Sequence, residues 1–208
     1  MEKIQHYFPE LDNHQLWQLQ RLGELYREWN QKINVISRKD IDHVYDHHIL
    51  HSMAISRFVQ FESDAEVLDL GTGGGLPGIP LAILFPETRF TLIDGTRKKI
   101  TVVQEIVQEL ELKNVRALHQ RAEEMKHKFD FVVCRAVASL DKLVNWSFPL
   151  LKKKQVHVVP NGLITLKGGN LKAEVKALGR GHFVDMEEVD AYFDDPYFAE
   201  KYIVYVQH

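Results

Sequence analysis

The chain has 208 residues, a formal net charge of −3 and a single cysteine, Cys134. This length suits one domain with a well-buried core, and the near-neutral charge excludes a globally basic nucleic-acid binder. One cysteine excludes a disulfide framework, and no apolar run approaches membrane-spanning length. We therefore expect a cytoplasmic protein without a membrane partner, in which any nucleic-acid contact comes from local basic patches.

The amino-terminal part of the chain is predicted to be helical. Leucine and aromatic residues recur at helical spacing between Leu16 and Trp29, and the helical pattern continues from Asp40 to Phe61. No Gly/Pro/Ser-rich linker separates this region from the rest. We therefore expect a single domain, in which residues 1–62 form a helical extension on a core formed by residues 63–208.

After this region, strand and helix patterns alternate. The predicted strands span residues 67–70, 89–94, 115–119, 129–134 and 162–166, with two more inside 183–189 and 202–206. The predicted helices begin near Leu76 or Pro77 and then cover residues 96–110, 140–151 and 171–178. Such alternation predicts a doubly wound, Rossmann-like α/β sheet.

The most informative segment is the glycine-rich loop after the first strand, Asp69-Leu70-Gly71-Thr72-Gly73-Gly74-Gly75-Leu76-Pro77-Gly78. Its glycines fit the dinucleotide pattern G-x-G-x-x-G, and Asp94 follows at about the expected twenty residues. However, Asp69 two residues before Gly71 is typical of the first motif of S-adenosylmethionine (SAM) methyltransferases. Some sixty residues also precede the loop, whereas a dinucleotide enzyme normally begins with this unit. The pattern favours SAM, and a nicotinamide dinucleotide stays as an alternative.

Polar residues at the ends of the next strands suggest how a nucleoside would be held. Asp94 is placed to accept the two ribose hydroxyls, or else to cap the following helix. Glu123 could accept from an adenine amino group or be a solvated surface acid. Arg135 favours a carboxylate or phosphate ligand over a structural ion pair, because a buried arginine needs a partner.

The fourth strand also limits the chemistry. It ends in Cys134-Arg135-Ala136-Val137, which lacks the Asp/Asn-Pro-Pro-aromatic turn of enzymes that methylate exocyclic amines. Cys134 lacks a preceding proline and ends an apolar strand, so a small core residue is expected there rather than a nucleophile. A ring nitrogen such as guanine N7 needs neither device, since its lone pair is exposed and no proton must leave.

Several motifs together resemble one known family. They are Trp29–Ser37, His48–Ser52, Asp69–Pro80, Arg135–Leu140 and Leu166–Gly169. In this order they closely resemble the RsmG family of 16S ribosomal RNA guanine-N7 methyltransferases, and the resemblance runs from about Leu16 to Gly169. It implies a class I SAM-dependent methyltransferase fold, SAM as cofactor, and methylation of N7 of a guanine in the 530 loop of 16S RNA, with the small ribosomal subunit as partner.

The resemblance also implies site residues. It places the cofactor against Gly71, Leu76, Asp94, Gly95, Thr96, Ala122, Glu123 and Arg135. Lys167 and Arg135 are candidates for positioning the RNA, no residue is assigned as a certain catalytic group, and a monomer without a metal is expected. One departure is His51, which stands where the family usually has an aspartate, so the role of that carboxylate is open here.

Other features allow different interpretations. His43, His47 and His51 share one face of the predicted helix and suggest a metal stripe or, preferably, a polar lining of the substrate cleft. A candidate RNA surface comprises Arg97–Lys99, Lys152–Lys154, Lys167, Lys172, Lys176 and Arg180, although lysine runs are commonly just solvated. The alternative functions are a SAM-dependent methyltransferase acting on a small molecule, a nicotinamide oxidoreductase, and a non-catalytic RNA-binding protein.

Overall fold

A computed structural model describes residues 1–135, 137–179 and 181–208. Its centre is a seven-stranded sheet in the order β3-β2-β1-β4-β5-β7-β6. The strands are β1 (Glu66–Leu70), β2 (Arg89–Asp94), β3 (Val115–His119), β4 (Phe131–Arg135), β5 (Gly162–Gly168), β6 (Val184–Glu188) and β7 (Lys201–Gln207). The strand β7 runs antiparallel to both of its neighbours, β5 and β6. The strand order reverses between β1 and β4, which creates a crevice at their carboxyl ends.

The helices cover both faces of this sheet. They are α1 (Glu2–Tyr7), α2 (Asn13–Asn30), α3 (His51–Met53), α4 (Ile55–Phe58), α5 (Gly78–Leu84), α6 (Arg97–Glu109), α7 (Leu140–Ser147) and α8 (Lys172–Ala177). A 3₁₀ turn (Ile41–His43) and a π-helix (Val44–Leu50) precede α3. Asp12 begins α2 with a capping box, in which its side chain and that of Gln15 exchange hydrogen bonds with each other's backbone N–H groups.

Alternate side chains of the strands pack into two hydrophobic cores, one on each face of the sheet. Val67 packs with the amino-terminal helices, α5 and α6, whereas its neighbour Leu68 packs with α7 on the other face. Tyr26 of α2 and Met53 of α3 are buried in the same core as Val67. The amino-terminal helical segment therefore packs directly onto one face of the sheet.

The predicted helical segment from Asp40 to Phe61 is confirmed in part, because the chain is helical between Ile41 and Phe58 but does not form one regular α-helix. The chain instead forms a 3₁₀ turn, a π-helix and two short α-helices, which end at Phe58. Tertiary contacts to Asp40, described below, override the regular helical pattern here. The predicted helix 140–151 also ends early, at Ser147, and continues as a 3₁₀ turn from Phe148 to Leu150 that contains Pro149.

In the described parts of the chain, no helix combines the length and apolar character needed to cross a membrane.

Candidate active site

The glycine-rich loop is held in place by Asp69 at the end of β1. The Asp69 side chain is fully buried, and its Oδ2 accepts hydrogen bonds from Thr72 Oγ1 at 2.6 Å and from the Gly78 N–H at 2.8 Å. Burial raises the pKa of Asp69 to about 7 despite these two hydrogen bonds. Gly71 in this loop has φ +71°, a left-handed conformation that glycine adopts without strain. Asp69 therefore ties the two ends of the glycine-rich loop together.

The amino-terminal helices hold the same loop from above. The hydroxyl of Tyr26, a fully buried residue of α2, donates to the Gly74 carbonyl at 2.9 Å. Asn30 Oδ1 accepts from the Val35 and Ile36 N–H groups at 2.9 and 3.0 Å. The Val35 side chain thereby lies against Gly74, where an added Cβ would be only 3.0 Å from Val35 Cβ. Sequence reasoning missed this role of Tyr26, Asn30 and Val35, because their contacts join distant parts of the chain.

A cavity of about 530 Å³ opens between this loop and the carboxyl ends of β2 and β4. Its size lies within the roughly 300–1,000 Å³ of small-molecule sites. All eight residues predicted to bind the cofactor line it: Gly71, Leu76, Asp94, Gly95, Thr96, Ala122, Glu123 and Arg135. Ala122 is buried, whereas Glu123 is exposed at the rim. The fold thus brings together residues that lie as far as 64 positions apart, from Gly71 to Arg135.

Asp94 bridges the two loops that border this cavity. Its Oδ2 accepts from the Gly73 N–H at 3.0 Å and its Oδ1 accepts from the Thr96 N–H at 2.7 Å. The N-cap position of α6 belongs to Thr96, so the alternative role of Asp94 as the capping residue was wrong. Each carboxylate oxygen can accept a second hydrogen bond, and a pair of hydroxyl groups would suit these remaining positions.

A second cavity of about 550 Å³ adjoins the first. The two share Arg135 and Val137, which form the seam between them. The other lining residues include His48, His51, Ser139, Lys167, Glu174, Tyr197 and Lys201. A Cβ added at Gly71 would lie 3.1 Å from Val137 Cγ2, so the glycine keeps the seam open on the side of the first cavity.

Arg135 lies at this seam and contacts His48. Its Nη2 is 3.2 Å from His48 Nδ1, and its Nη1 is 3.5 Å from the His48 carbonyl oxygen. Within the described ranges, no carboxylate lies within 4.0 Å of the Arg135 guanidinium, so the alternative of a structural ion pair was wrong. Burial lowers the pKa of Arg135, yet an arginine remains charged at any physiological pH.

Lys167 lines the second cavity but is already engaged. Its Nζ lies 2.7 Å from the Ala138 carbonyl and 2.7 Å from Glu174 Oε2. The same Glu174 oxygen accepts from the Leu140 N–H at 2.9 Å. The contact of Lys167 with RNA phosphate stays a prediction, and this contact would require Lys167 to share or exchange its bond to Glu174.

The three histidines of the predicted stripe differ in their contacts and in their exposure. His47 donates to or accepts from Asp40 at 2.7 Å and stacks on Tyr197, with ring centroids 3.6 Å apart. His43 stacks on the other side of His47 at 4.4 Å and is exposed. His51 is buried against Tyr197 and Phe198, and its pKa is well below the usual value because of burial.

The predicted basic surface is divided by the fold. Lys152 pairs with Glu66 at 2.7 Å and with Asp130 at 2.9 Å, at the amino ends of β1 and β4. This is the edge of the sheet opposite the two cavities, so its inclusion in a common surface with Lys167 was wrong. Ala136 of the fourth-strand motif and Arg180 of the basic set lie outside the described residues.

Cys134 is buried in the core beneath α7, as predicted. Burial raises the pKa of its thiol to about 12, which leaves it protonated and unreactive at neutral pH.

Comparison with known proteins identifies the family. The model of the rRNA small subunit methyltransferase G family (GidB) matches residues 15–192. The chain is 51% identical over 206 residues to the ribosomal RNA small subunit methyltransferase G of Flavobacterium johnsoniae, which covers 99% of this chain and 97% of that protein. The chain belongs to this family. The methyltransferase G of Bacteroides fragilis is 49% identical over 206 residues, 99% of each chain. The resemblance seen in the sequence motifs is thereby confirmed.

A solved structure supports the fold of this methyltransferase G family member. The chain resembles precorrin-6y C5,15-methyltransferase from Geobacter metallireducens with a TM-score of 0.56 and 13% identity, over 84% of this chain and 90% of that one. At this identity the likeness concerns the fold alone. The predicted Rossmann-like methyltransferase sheet is confirmed.

Proposed function

We propose that this chain transfers a methyl group from SAM to N7 of a guanine in the 530 loop of 16S ribosomal RNA. The observation that carries the proposal is the pair of cavities that meet at Arg135 and Val137. A ligand in each cavity would bring its reactive end to the seam. Family membership supports ribosomal RNA as the substrate, because the relatives are named for the RNA of the small subunit.

The residues of the first cavity fit SAM group by group. The carboxylate of Asp94 suits the ribose hydroxyls, and Glu123 at the rim suits the adenine amino group. Arg135 offers a guanidinium to the carboxylate at the amino-acid end. Gly71 leaves a cradle that a side chain would fill, since an added Cβ would press on Val137. SAM binding by these eight cavity residues is therefore our assignment.

SAM supplies an electrophilic methyl group on a sulfonium when it is bound. The residues at the seam suit a methyl-accepting atom that carries no proton. Burial and the nearby Arg135 lower the pKa of His48 to about 4, which makes His48 a weak base, and Arg135 cannot act as a base. Guanine N7 needs no base, and the chain contributes mainly alignment, which is worth about 7–11 kcal/mol when reacting atoms lie roughly 3–3.5 Å apart.

The second cavity suits the guanine nucleotide. Lys167 and Lys201 line it, and the Lys201 ammonium lies 4.0 Å from the Tyr197 ring centre. Cations that line a cavity attract a phosphate backbone. In this proposal the chain acts as a monomer in the cytoplasm on the small ribosomal subunit or its RNA, with residues 1–62 and 63–208 working as one domain.

Binding and transfer assays test this function in two steps. Calorimetry with SAM and, separately, with NAD should give binding of SAM only. Transfer of radiolabelled methyl groups from SAM should then label 16S RNA and leave 23S RNA unlabelled. SAM binding without label in any RNA would favour a methyltransferase that acts on a small molecule. Binding of NAD instead would favour the oxidoreductase.

A further inference from the structure

The guanidinium of Arg135 is connected to a carboxylate through His48. Arg135 Nη2 approaches His48 Nδ1 at 3.2 Å, and His48 Nε2 lies 2.6 Å from Asp40 Oδ2. Because a guanidinium only donates hydrogen bonds, Nδ1 of His48 must be the acceptor. The ring proton is then on Nε2 and is donated to Asp40. The three side chains therefore form a directed chain from cation to carboxylate.

The backbone around His48 is shaped for these contacts. In a regular helix, consecutive side chains point about 100° apart, so two adjacent residues rarely reach one partner. Here the π-helix Val44–Leu50 lets both His47 and His48 bond to Asp40, at 2.7 and 2.6 Å. Single π-helical turns are rare and occur frequently at functional sites.

The carboxyl-terminal segment braces the same cluster. The Tyr197 hydroxyl donates to the His47 carbonyl at 3.1 Å, and its ring stacks on the His47 ring at an interplanar angle of 5°. Asp40 is thus the meeting point of two histidines that are both fixed by other contacts. Burial raises the pKa of Asp40, but the hydrogen bonds from the two histidines outweigh burial and lower it overall, which keeps the carboxylate charged.

We propose that His48, held in one tautomer by Asp40, is the positioning residue that aims Arg135 at the carboxylate of the cofactor. This inference rests on the proposed function, because it takes SAM as the ligand of the first cavity. A carboxylate–histidine pair that orients a cation has a parallel in metal sites, where the outer carboxylate fixes the histidine tautomer and strengthens its acceptor nitrogen. Neither Asp40 nor His48 was among the predicted cofactor-binding residues.

Two substitutions of His48 separate its two hydrogen bonds. In His48→Asn the amide oxygen takes the place of Nδ1, so Arg135 keeps an acceptor while the contact with Asp40 is lost. In His48→Gln the amide reaches the place of Nε2, so the contact with Asp40 is kept while Arg135 loses its acceptor. His14→Gln, on an exposed face of α2, is the matched control for the change of residue type.

The readout is calorimetric affinity for two probes, S-adenosylhomocysteine and 5′-methylthioadenosine. Both contain the adenosine part, but only the first has the amino-acid carboxylate. His48→Gln should weaken S-adenosylhomocysteine binding about tenfold, as expected for losing most of a charge-assisted hydrogen bond, and leave 5′-methylthioadenosine binding unchanged. His14→Gln should bind both probes as the wild type does, and His48→Asn should lose less affinity for S-adenosylhomocysteine than His48→Gln, because Arg135 keeps an acceptor.

Equal affinity of His48→Gln and wild type for S-adenosylhomocysteine would overturn the proposal, and so would an equal loss for both probes. If His48→Gln does not fold, as judged by thermal melting, Asp40→Asn provides the same comparison of probes, with a smaller selective loss. A double-mutant cycle of His48→Gln with Arg135→Lys should be non-additive, because His48 acts through Arg135. Additive losses would contradict the proposal.

This test is independent of methyl transfer to RNA. A wild-type chain that prefers S-adenosylhomocysteine over 5′-methylthioadenosine but labels no RNA would defeat the proposed substrate and leave the role of His48 intact. If the chain labels RNA and His48→Gln binds S-adenosylhomocysteine as the wild type does, the proposed substrate stands and the proposed role of His48 fails.

Discussion

Removing the hydroxyl of Tyr26 tests whether the amino-terminal helices hold the glycine-rich loop in its binding shape. Tyr26→Phe keeps the buried ring and deletes one hydrogen bond of 2.9 Å to the Gly74 carbonyl. A buried carbonyl left without its partner costs about 2 kcal/mol, which lowers Tm by roughly 4–8 °C in a chain of this size. If about 1 kcal/mol of this is needed to reorder the loop on binding, SAM affinity falls about fivefold.

A matched tyrosine separates loop geometry from general stability. Tyr205 is also buried, and its hydroxyl donates to the Pro160 carbonyl at 2.7 Å, away from both cavities. Tyr205→Phe should therefore lose similar stability, measured by urea denaturation, while SAM affinity measured by calorimetry stays at the wild-type value. Equal SAM affinity in Tyr26→Phe and Tyr205→Phe would mean that the hydrogen bond to Gly74 does not shape the loop.

Three further predictions concern the two cavities. Asp94→Ala should weaken SAM binding about tenfold or more by calorimetry, because it removes an acceptor of the ribose and the bridge between the two loops; unchanged affinity would contradict that assignment. Lys167→Met should lower RNA-dependent turnover more than SAM affinity, with Lys167→Met/Glu174→Gln as control for the unpaired carboxylate, and equal losses would place Lys167 at the cofactor. For Asp69, whose pKa is about 7 in the folded chain, the proton is bound more tightly in the folded than in the unfolded state. The unfolding free energy of the wild type should therefore fall relative to Asp69→Asn as pH rises from roughly 4 to 7, and urea denaturation showing no pH-dependent difference would refute it.

The sheet was predictable from local patterns. The strands β2 and β3 have the predicted bounds, because each is a short apolar run between polar breaks. The strand β4 begins at Phe131 rather than at Phe129, whose N–H donates instead to the Leu150 carbonyl. Here a contact from another part of the chain, which no local pattern records, decides where regular pairing starts.

The cofactor cavity was also predictable, because strand ends in a doubly wound sheet converge at one edge. Asp94 and Arg135 could be placed there from their positions at the ends of predicted strands. The contacts that orient them could not. His48 lies 87 positions before Arg135, and Tyr26 lies 48 positions before Gly74. Such pairs depend on how the helices pack on the sheet, and no local pattern in the sequence predicts that packing.

The basic residues also show what the sequence alone could not predict. Lys152 and Lys167 both looked available for RNA in the sequence, yet each forms an ion pair, and they lie at opposite edges of the sheet. Charge counts along a chain do not reveal which side chains already have partners.

The proposed reaction is methylation of N7 of one guanine in 16S RNA. The most direct measurement incubates the chain and radiolabelled SAM with small ribosomal subunits, and with 16S RNA, from cells that lack this enzyme. The product is then mapped by chain cleavage at N7-methylguanine. We expect label at a single guanine of the 530 loop, and none when Arg135 is replaced by alanine. Label at another atom, at another position, or only in a small molecule would contradict N7 methylation of 16S RNA by this chain.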